Sequence, residues 1–408
     1  MKNLTLENIA RVCGGTYYGP ADKSQEEVMS VITDSRKAEE GCLFVPIVGE
    51  RVDAHKFIPQ VMKAGALATL SERVLDNADF PYIAVESSLQ AVKDIAEFYL
   101  KQLQIPVVGI TGSVGKTSTK EVIASVLNQK YHTLKTQGNF NNELGLPLTV
   151  FRLRDGDEIA VLEMGISDFG EMDRLSKIAQ PDICVITNIG FCHLENLGTR
   201  DGILKAKTEI FNHMNPDGIV IVNGDDDKLS TISQVHGKRP LVFGISNKDG
   251  VYADNIKSLG LDGTSFTIHG IKTSDNYSTF DLTVPVPGHH MVYNAMAAAL
   301  VGSVLGLSSI EIERGVKNLK TIAGRNNIIK ENGFTIIDDC YNANPVSMKA
   351  SLDVLDTAIG RKVAILGSMF ELGENEKQMH YDVGMYLGTK DIDVLITCLL
   401  YTSDAADD

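Results

Sequence analysis

The apolar run Pro106-Val107-Val108-Gly109-Ile110 leads straight into Thr111-Gly112-Ser113-Val114-Gly115-Lys116-Thr117-Ser118 and then a helical pattern. Strand, glycine loop and helix in that order constrain this chain more than any other stretch. The glycines let the backbone curl so that successive N–H groups turn inward, and the helix N-terminus adds positive potential. Lys116 supplies a mobile cation and Thr117 a hydroxyl for Mg²⁺. Together they describe a site for a nucleoside triphosphate. The loop is shorter than the general G-x-x-x-x-G-K-[ST] pattern: Ile110 stands where the first glycine belongs, leaving Gly112-Ser113-Val114-Gly115-Lys116-Thr117. A plain glycine-rich turn with an exposed lysine is the alternative, and the intact strand before the loop argues against it.

At 408 residues the chain is long enough for two or three domains, each with its own core. A formal charge of −15 disfavours nucleic acid as the main partner, so an anionic substrate needs a local basic pocket. The chain shows no basic apolar leader and no apolar run long enough to span a membrane, so a cytoplasmic protein is expected. Cys13, Cys42, Cys184, Cys192, Cys340 and Cys398 lack C-x-x-C spacing, and the expectation is reduced packing residues rather than disulfides or zinc ligands.

Residues 1–104 alternate short strands (Val28 to Thr33, Leu43 to Val45, Tyr82 to Val85) with helices (His55 to Ala64, Ser88 to Leu103), a small α/β domain ending before Pro106. Two polar clusters, Thr33-Asp34-Ser35-Arg36 and Gly49-Glu50-Arg51-Val52-Asp53-Ala54-His55, read most simply as solvated turns. Residues 105–307 repeat strand then helix, with strands Val107 to Thr111, Ile159 to Glu163, Ile183 to Thr187 and Ile219 to Asn223. That alternation predicts a parallel sheet with ligands at its carboxyl edge, where Thr117, Glu163, Asn188, His193, Asn223 and Asp225 fall. Residues 251–287 predict an antiparallel addition, followed by a helix from near Val292. Residues 308–397 read as a third α/β domain with strands Thr335 to Asp338, Val363 to Leu366 and Val394 to Thr397 and helices Ser347 to Ala358 and Lys377 to Leu387. It is expected to be incomplete, because the apolar strand at Val394 needs cover that Cys398 to Asp408, a stretch resembling a translated sequencing adapter, does not supply.

Glu163, in Val161-Leu162-Glu163-Met164-Gly165, falls where an acidic group would hold Mg²⁺ beside the loop, though alone it reads more simply as a solvated strand-end carboxylate. His193, after the next strand, and Lys207, fourteen residues on, would each alone be surface residues.

With Gly138-Asn139-Phe140-Asn141-Asn142-Glu143-Leu144-Gly145-Leu146-Pro147, Pro287-Gly288-His289-His290 with Asn294, and Asp339-Cys340-Tyr341-Asn342-Ala343-Asn344-Pro345, these residues form an ordered set that resembles the Mur ligases of peptidoglycan synthesis from Met1 to about Thr397. The short phosphate loop is the form that family uses. Asp339 to Pro345, Gly367-Ser368-Met369 with Glu371-Leu372-Gly373, and Phe44-Val45-Pro46 favour the branch that joins D-alanyl-D-alanine to UDP-N-acetylmuramoyl-tripeptide. The resemblance implies an N-terminal domain for the UDP-substrate, a central ATPase domain and a C-terminal Rossmann-like ligase domain. It implies ATP and Mg²⁺, no nucleic acid, no membrane insertion and a monomer. On its terms the loop Gly112, Ser113, Val114, Gly115, Lys116, Thr117 and Ser118 holds phosphates; Thr117 and Glu163 hold one Mg²⁺ and His193 a second; and Lys207 is carbamylated. His290 and Asn294 lie near adenine, Arg325 and Asp339 reach the nucleotide from the third domain, Ser35 and Arg36 meet the uridine diphosphate, and Asn142 lies near the substrate carboxylate. A sibling ligase adding the third amino acid, a folylpolyglutamate synthetase, or a non-catalytic nucleotide-binding fragment remain as alternatives.

Overall fold

The computed structural model describes residues 1–49 and 51–397; Glu50, in the second polar cluster, and the tail Cys398 to Asp408 lie outside the described residues. The first sheet comprises β1 (Thr16–Tyr18), β2 (Ser30–Ile32), β3 (Cys42–Phe44), β4 (Ala68–Ser71) and β5 (Tyr82–Ala84), in the order β1-β5-β4-β3-β2. Four strands run parallel, and β1 pairs antiparallel with β5. The stretch expected to be one helix from His55 is a 3₁₀ turn, Ala54–Phe57, followed by the helix Ile58–Lys63 with Pro59 in its first turn.

The central sheet has nine strands: β6 (Val107–Thr111), β7 (Thr133–Lys135), β8 (Ile159–Glu163), β9 (Ile183–Ile186), β10 (Ile219–Asn223), β11 (Leu241–Gly244), β12 (Val251–Ser258), β13 (Thr264–His269) and β14 (Thr279–Val284). Their order is β14-β13-β12-β11-β10-β9-β6-β8-β7, parallel from β7 to β12 and antiparallel from there to β14. The middle strands carry apolar residues on both faces because both faces are covered. Val108, Ile110, Val161 and Val185 point into a core closed by the helices Lys116–Leu127 and His290–Val304, while Val107, Leu162 and Cys184 point into a second core. That second core is continuous with the N-terminal domain through the helix Ser88–Leu103, whose Tyr99 hydroxyl donates to Leu153 O at 2.7 Å. The helix expected near Val292 starts two residues earlier, at His290.

The helix Ser309–Lys317, read from the sequence as the start of the third domain, instead belongs to the central core: Ile312 and Val316 are buried in it, and Ser125 Oγ donates to Gly315 O at 2.6 Å. The core therefore extends beyond the expected boundary after residue 307. The third domain contains a hairpin, β15 (Asn327–Glu331) with β16 (Phe334–Asp338), and a parallel pair, β17 (Val363–Leu366) with β18 (Val394–Thr397), flanked by the helices Pro345–Asp356 and Glu376–Leu387. β18 is not buried on both faces: Leu395 and Ile396 are exposed, as is Ile365 beside them. Among the described residues no helix is long and apolar enough to cross a membrane.

Candidate active site at the junction of the central and third domains

The phosphate loop follows β6 and is clamped by the end of β9. Asn188 O accepts from Ser113 N at 3.0 Å, Asn188 Oδ1 accepts from Val114 N at 2.9 Å, and Thr187 Oγ1 donates to Val114 O at 2.7 Å. Gly112 has φ +148°, and a Cβ there would lie 2.0 Å from Thr187 Oγ1, so this position must be glycine. Gly115, at φ +82°, caps the helix that begins at Lys116. The Lys116 ammonium donates back to Gly112 O at 2.8 Å, so the cation lies over the loop.

Glu163 closes β8 on the neighbouring strand and is 2% exposed. Its Oε1 accepts from Thr117 Oγ1 at 3.1 Å and from Asn141 Nδ2 at 2.9 Å, whereas its Oε2 is buried with no hydrogen-bond donor. A carboxylate oxygen left open beside a hydroxyl is a hard, all-oxygen donor set, which fits Mg²⁺. Asn141 and Asn142 come from the segment after β7. Asn142 Oδ1 accepts from Gly145 N at 2.8 Å, and Glu143 is anchored by Arg174 and, from the N-terminal domain's long helix, by Lys93 at 3.2 Å.

His193 adopts the left-handed conformation (φ +53°) after β9, with its Nδ1 2.7 Å from Glu371 Oε2 of the third domain. Burial lowers its proton affinity below the ordinary value, Glu371 raises it, and Lys207 and Lys116 lower it further. Lys207 is 1% exposed, and among the described residues its side chain forms no ion pair. Burial, then repulsion from Lys116, brings its amine from an ordinary 10.5 to about 7.

From the third domain, the Arg325 guanidinium stacks on Tyr341 at 4.1 Å. Asp339 Oδ1 accepts from Asn326 N at 3.1 Å, and Asp339 Oδ2 accepts from Ser351 Oγ. Asn326 Nδ2 reaches Pro287 O at 3.3 Å and His290 Nε2 at 3.4 Å, tying the two domains together. Burial lowers the proton affinity of His290, an effect that Asp339 opposes. Asn294 accepts from Thr119 Oγ1 at 3.0 Å, next to the phosphate loop.

A cavity of about 890 Å³ runs between these elements. Ser113, Val114, Gly115, Lys116, Thr117, Ser118, Asn142, Glu163, His193, His290, Asn294, Arg325 and Asp339 all line it, so most sequence-predicted site residues meet there. Gly112 and Lys207 are not among the residues that line it. Ser35 and Arg36 are in the N-terminal domain, where Arg36 pairs with Asp34 at 2.9 and 2.8 Å in an exposed turn. Sequence reasoning assigned no role to Lys120, Asn141, Asn326 or Tyr341. Asn141 had a visible signal, being adjacent to Asn142 in the same run. Asp225, flagged at the sheet edge, lines the cavity with Asn188 and Asn223 and also holds the loop after β11, accepting from Ile245 N and Asn247 N, both at 2.6 Å, and from Tyr293 at 2.8 Å.

Two family descriptions match this chain: the Mur ligase middle domain over residues 110–302 and the Mur ligase, glutamate ligase domain over residues 324–408. The UDP-N-acetylmuramoyl-tripeptide–D-alanyl-D-alanine ligase of Bacillus subtilis (strain 168) is 40% identical over 402 residues, which cover 97% of this chain and 85% of the relative. A crystal structure of MurF from Acinetobacter baumannii superposes with a TM-score of 0.88 at 35% identity, covering 96% of this chain and 85% of the other. The MurF ligase of Thermotoga maritima in complex with ADP gives 0.80 at 33% identity, covering 90% and 83%.

Proposed function

Because the chain belongs to the Mur ligase family of ATP-dependent peptide ligases, we propose that it joins D-alanyl-D-alanine to UDP-N-acetylmuramoyl-tripeptide, releasing ADP and phosphate, in peptidoglycan precursor synthesis. The observation that carries this reading is one cavity shared by the phosphate loop, Glu163, His193 and the third domain's Arg325 and Asp339. A carboxylate is a poor electrophile, so the tripeptide carboxylate first takes the γ-phosphoryl group of ATP. The dipeptide amine then adds to the acyl carbon, loses a proton, and expels phosphate to leave the amide. Loop amides and Lys116 neutralise the charge that develops as the phosphoryl group moves. Thr117 and Glu163 would hold one Mg²⁺ and His193 would help hold a second; when bound, the ions act as Lewis acids on the phosphoryl oxygens.

Lys207 is the residue carbamylated in this reading. A buried amine brought to about 7 is substantially neutral at physiological pH, which nucleophilic addition to CO₂ requires. Its lone pair forms the N–C bond, the C=O electrons pass to oxygen, and the nitrogen proton leaves to solvent. The resulting anion replaces an amine whose charged form Lys116 repels. His290 and Asn294 would flank the adenine, Arg325 and Asp339 would contact the nucleotide from across the cleft, and Asn142 would orient the carboxylate. Ser35 and Arg36 would receive the uridine diphosphate, giving an acidic chain its local basic contact. A cytoplasmic monomer completes the proposal. ADP release with the tripeptide substrate tests it: dependence on D-alanyl-D-alanine is expected, with lysine- and diaminopimelate-ended tripeptides compared. Turnover with a single amino acid or glutamate as the only effective acceptor would overturn it.

A further inference from the structure

Lys120 is 1% exposed, lies one turn beyond Lys116 on the same helix, and has no part in the chemistry described so far. A fully buried ammonium is stable only where negative charge faces it. Its Nζ is 3.3 Å from Glu121 Oε1 and 3.4 Å from Glu163 Oε2. Glu121 is shared, because its other oxygen pairs with Lys135. The two oxygens of Glu163 have different partners. Oε1 is taken by the neutral donors Thr117 and Asn141, while Oε2 has no hydrogen bond among the described residues and the Lys120 cation beside it. The oxygen best placed to accept a metal ion is thus the one that the lysine faces.

We propose that Lys120 is a positioning residue that serves as the resident counter-ion of Glu163: it keeps the carboxylate in place while the site lacks metal, and it competes with Mg²⁺ for Oε2. This rests on the reading of Glu163 as a metal ligand. Competition of this kind keeps the affinity for the free ion low, so that Mg²⁺ is retained chiefly when nucleotide phosphates add their own charge. Coupling is reciprocal, so whatever the lysine adds to the metal-free state it subtracts from metal affinity.

The test uses the full chain without nucleotide. Lys120→Met keeps the length of the side chain and removes the charge. In EDTA, K120M should melt about 5 °C or more below wild type, because one partner of a buried pair is left alone. The double variant K120M/E163Q should regain at least about half of that loss, since neither charge then remains. Binding of Mn²⁺ as a Mg²⁺ substitute, followed by electron paramagnetic resonance, should be about tenfold or more tighter in K120M than in wild type. A double variant no more stable than K120M, or equal Mn²⁺ affinity in K120M and wild type, would overturn the inference. Absence of Mn²⁺ binding in both proteins would instead overturn the metal-site reading, and this competition with it.

Discussion

Replacing Lys207 with methionine should make the protein more stable and inactive at once. The side chain is 1% exposed; burial, then repulsion from Lys116 that Cys192 partly offsets, brings its proton affinity from 10.5 to about 7. At 1.36 kcal/mol per pH unit that difference amounts to about 5 kcal/mol held against the folded state. The unfolded chain keeps the lysine proton up to about 10.5 and the folded chain releases it near 7, so the unfolded state binds more protons in between and wild-type stability climbs as pH rises. Methionine has no such dependence and retains the packing of the stem. If half of the penalty survives local relaxation, the central domain of K207M should melt roughly 5–10 °C above wild type at pH 7. The margin should shrink steadily toward pH 9. Scanning calorimetry in CO₂-free buffer measures both. Added bicarbonate should raise the wild-type midpoint and leave K207M unchanged, since only the lysine can form a carbamate. A K207M midpoint at or below wild type at pH 7, or a margin indifferent to pH, would refute the reasoning.

Lys116→Ala should lower turnover at least about a hundredfold with the fold intact by circular dichroism, because it removes the cation over the phosphate loop. Gly112→Ala should abolish nucleotide binding in a fluorescent-ADP titration, since its Cβ would overlap Thr187 Oγ1 at a left-handed backbone position. Gly156→Ala, where nothing lies within 4 Å, should stay within roughly 0.5 kcal/mol of wild type in urea unfolding. Glu371→Ala should lower the apparent pKa of His193 further in an NMR titration, because Glu371 is the neighbour that favours the imidazolium; an unchanged value would mean that the cross-domain pair is not formed in solution.

The central sheet was legible because its middle strands are continuous apolar runs of strand length: β6, β8 and β10 match the sequence reading, and β9 ends one residue early. Short strands gave no such signal. Thr133–Lys135 is three residues of mixed polarity, and Leu241–Gly244 follows Pro240 with its first residue exposed and its second half-buried. The β15/β16 hairpin did carry a local mark that went unread: Asn332-Gly333 takes φ +50° and +80°, the geometry a tight two-residue turn needs. In the site, residues attached to a motif were found and those reaching it through space were not. Lys120 looks in sequence like one more polar residue of an amphipathic helix. Only the packing of that helix against β8 brings it to Glu163.

The way the third domain meets the central one bears on how the site opens. Among the described residues the side-chain contacts across the cleft are mainly polar: Asn326 to Pro287 O and His290, Glu371 to His193, and Lys330 to Asp262, with Val354 beside Gly288. Asn326, His290, Glu371 and His193 line the cavity that the substrates must enter, and the third domain's own small apolar cluster, around Met348, Leu352 and Met369, is separate from the two large cores. The N-terminal domain, by contrast, shares a continuous apolar core with the central sheet through Tyr99 and its helix. An apolar junction is costly to part, while a polar one exchanges its hydrogen bonds for water at little net change. Motion should therefore concentrate at the third domain, with the first two domains moving as one body. Arg325 and Asp339 are delivered to the nucleotide, and withdrawn from it, by the domain whose attachment is easiest to undo.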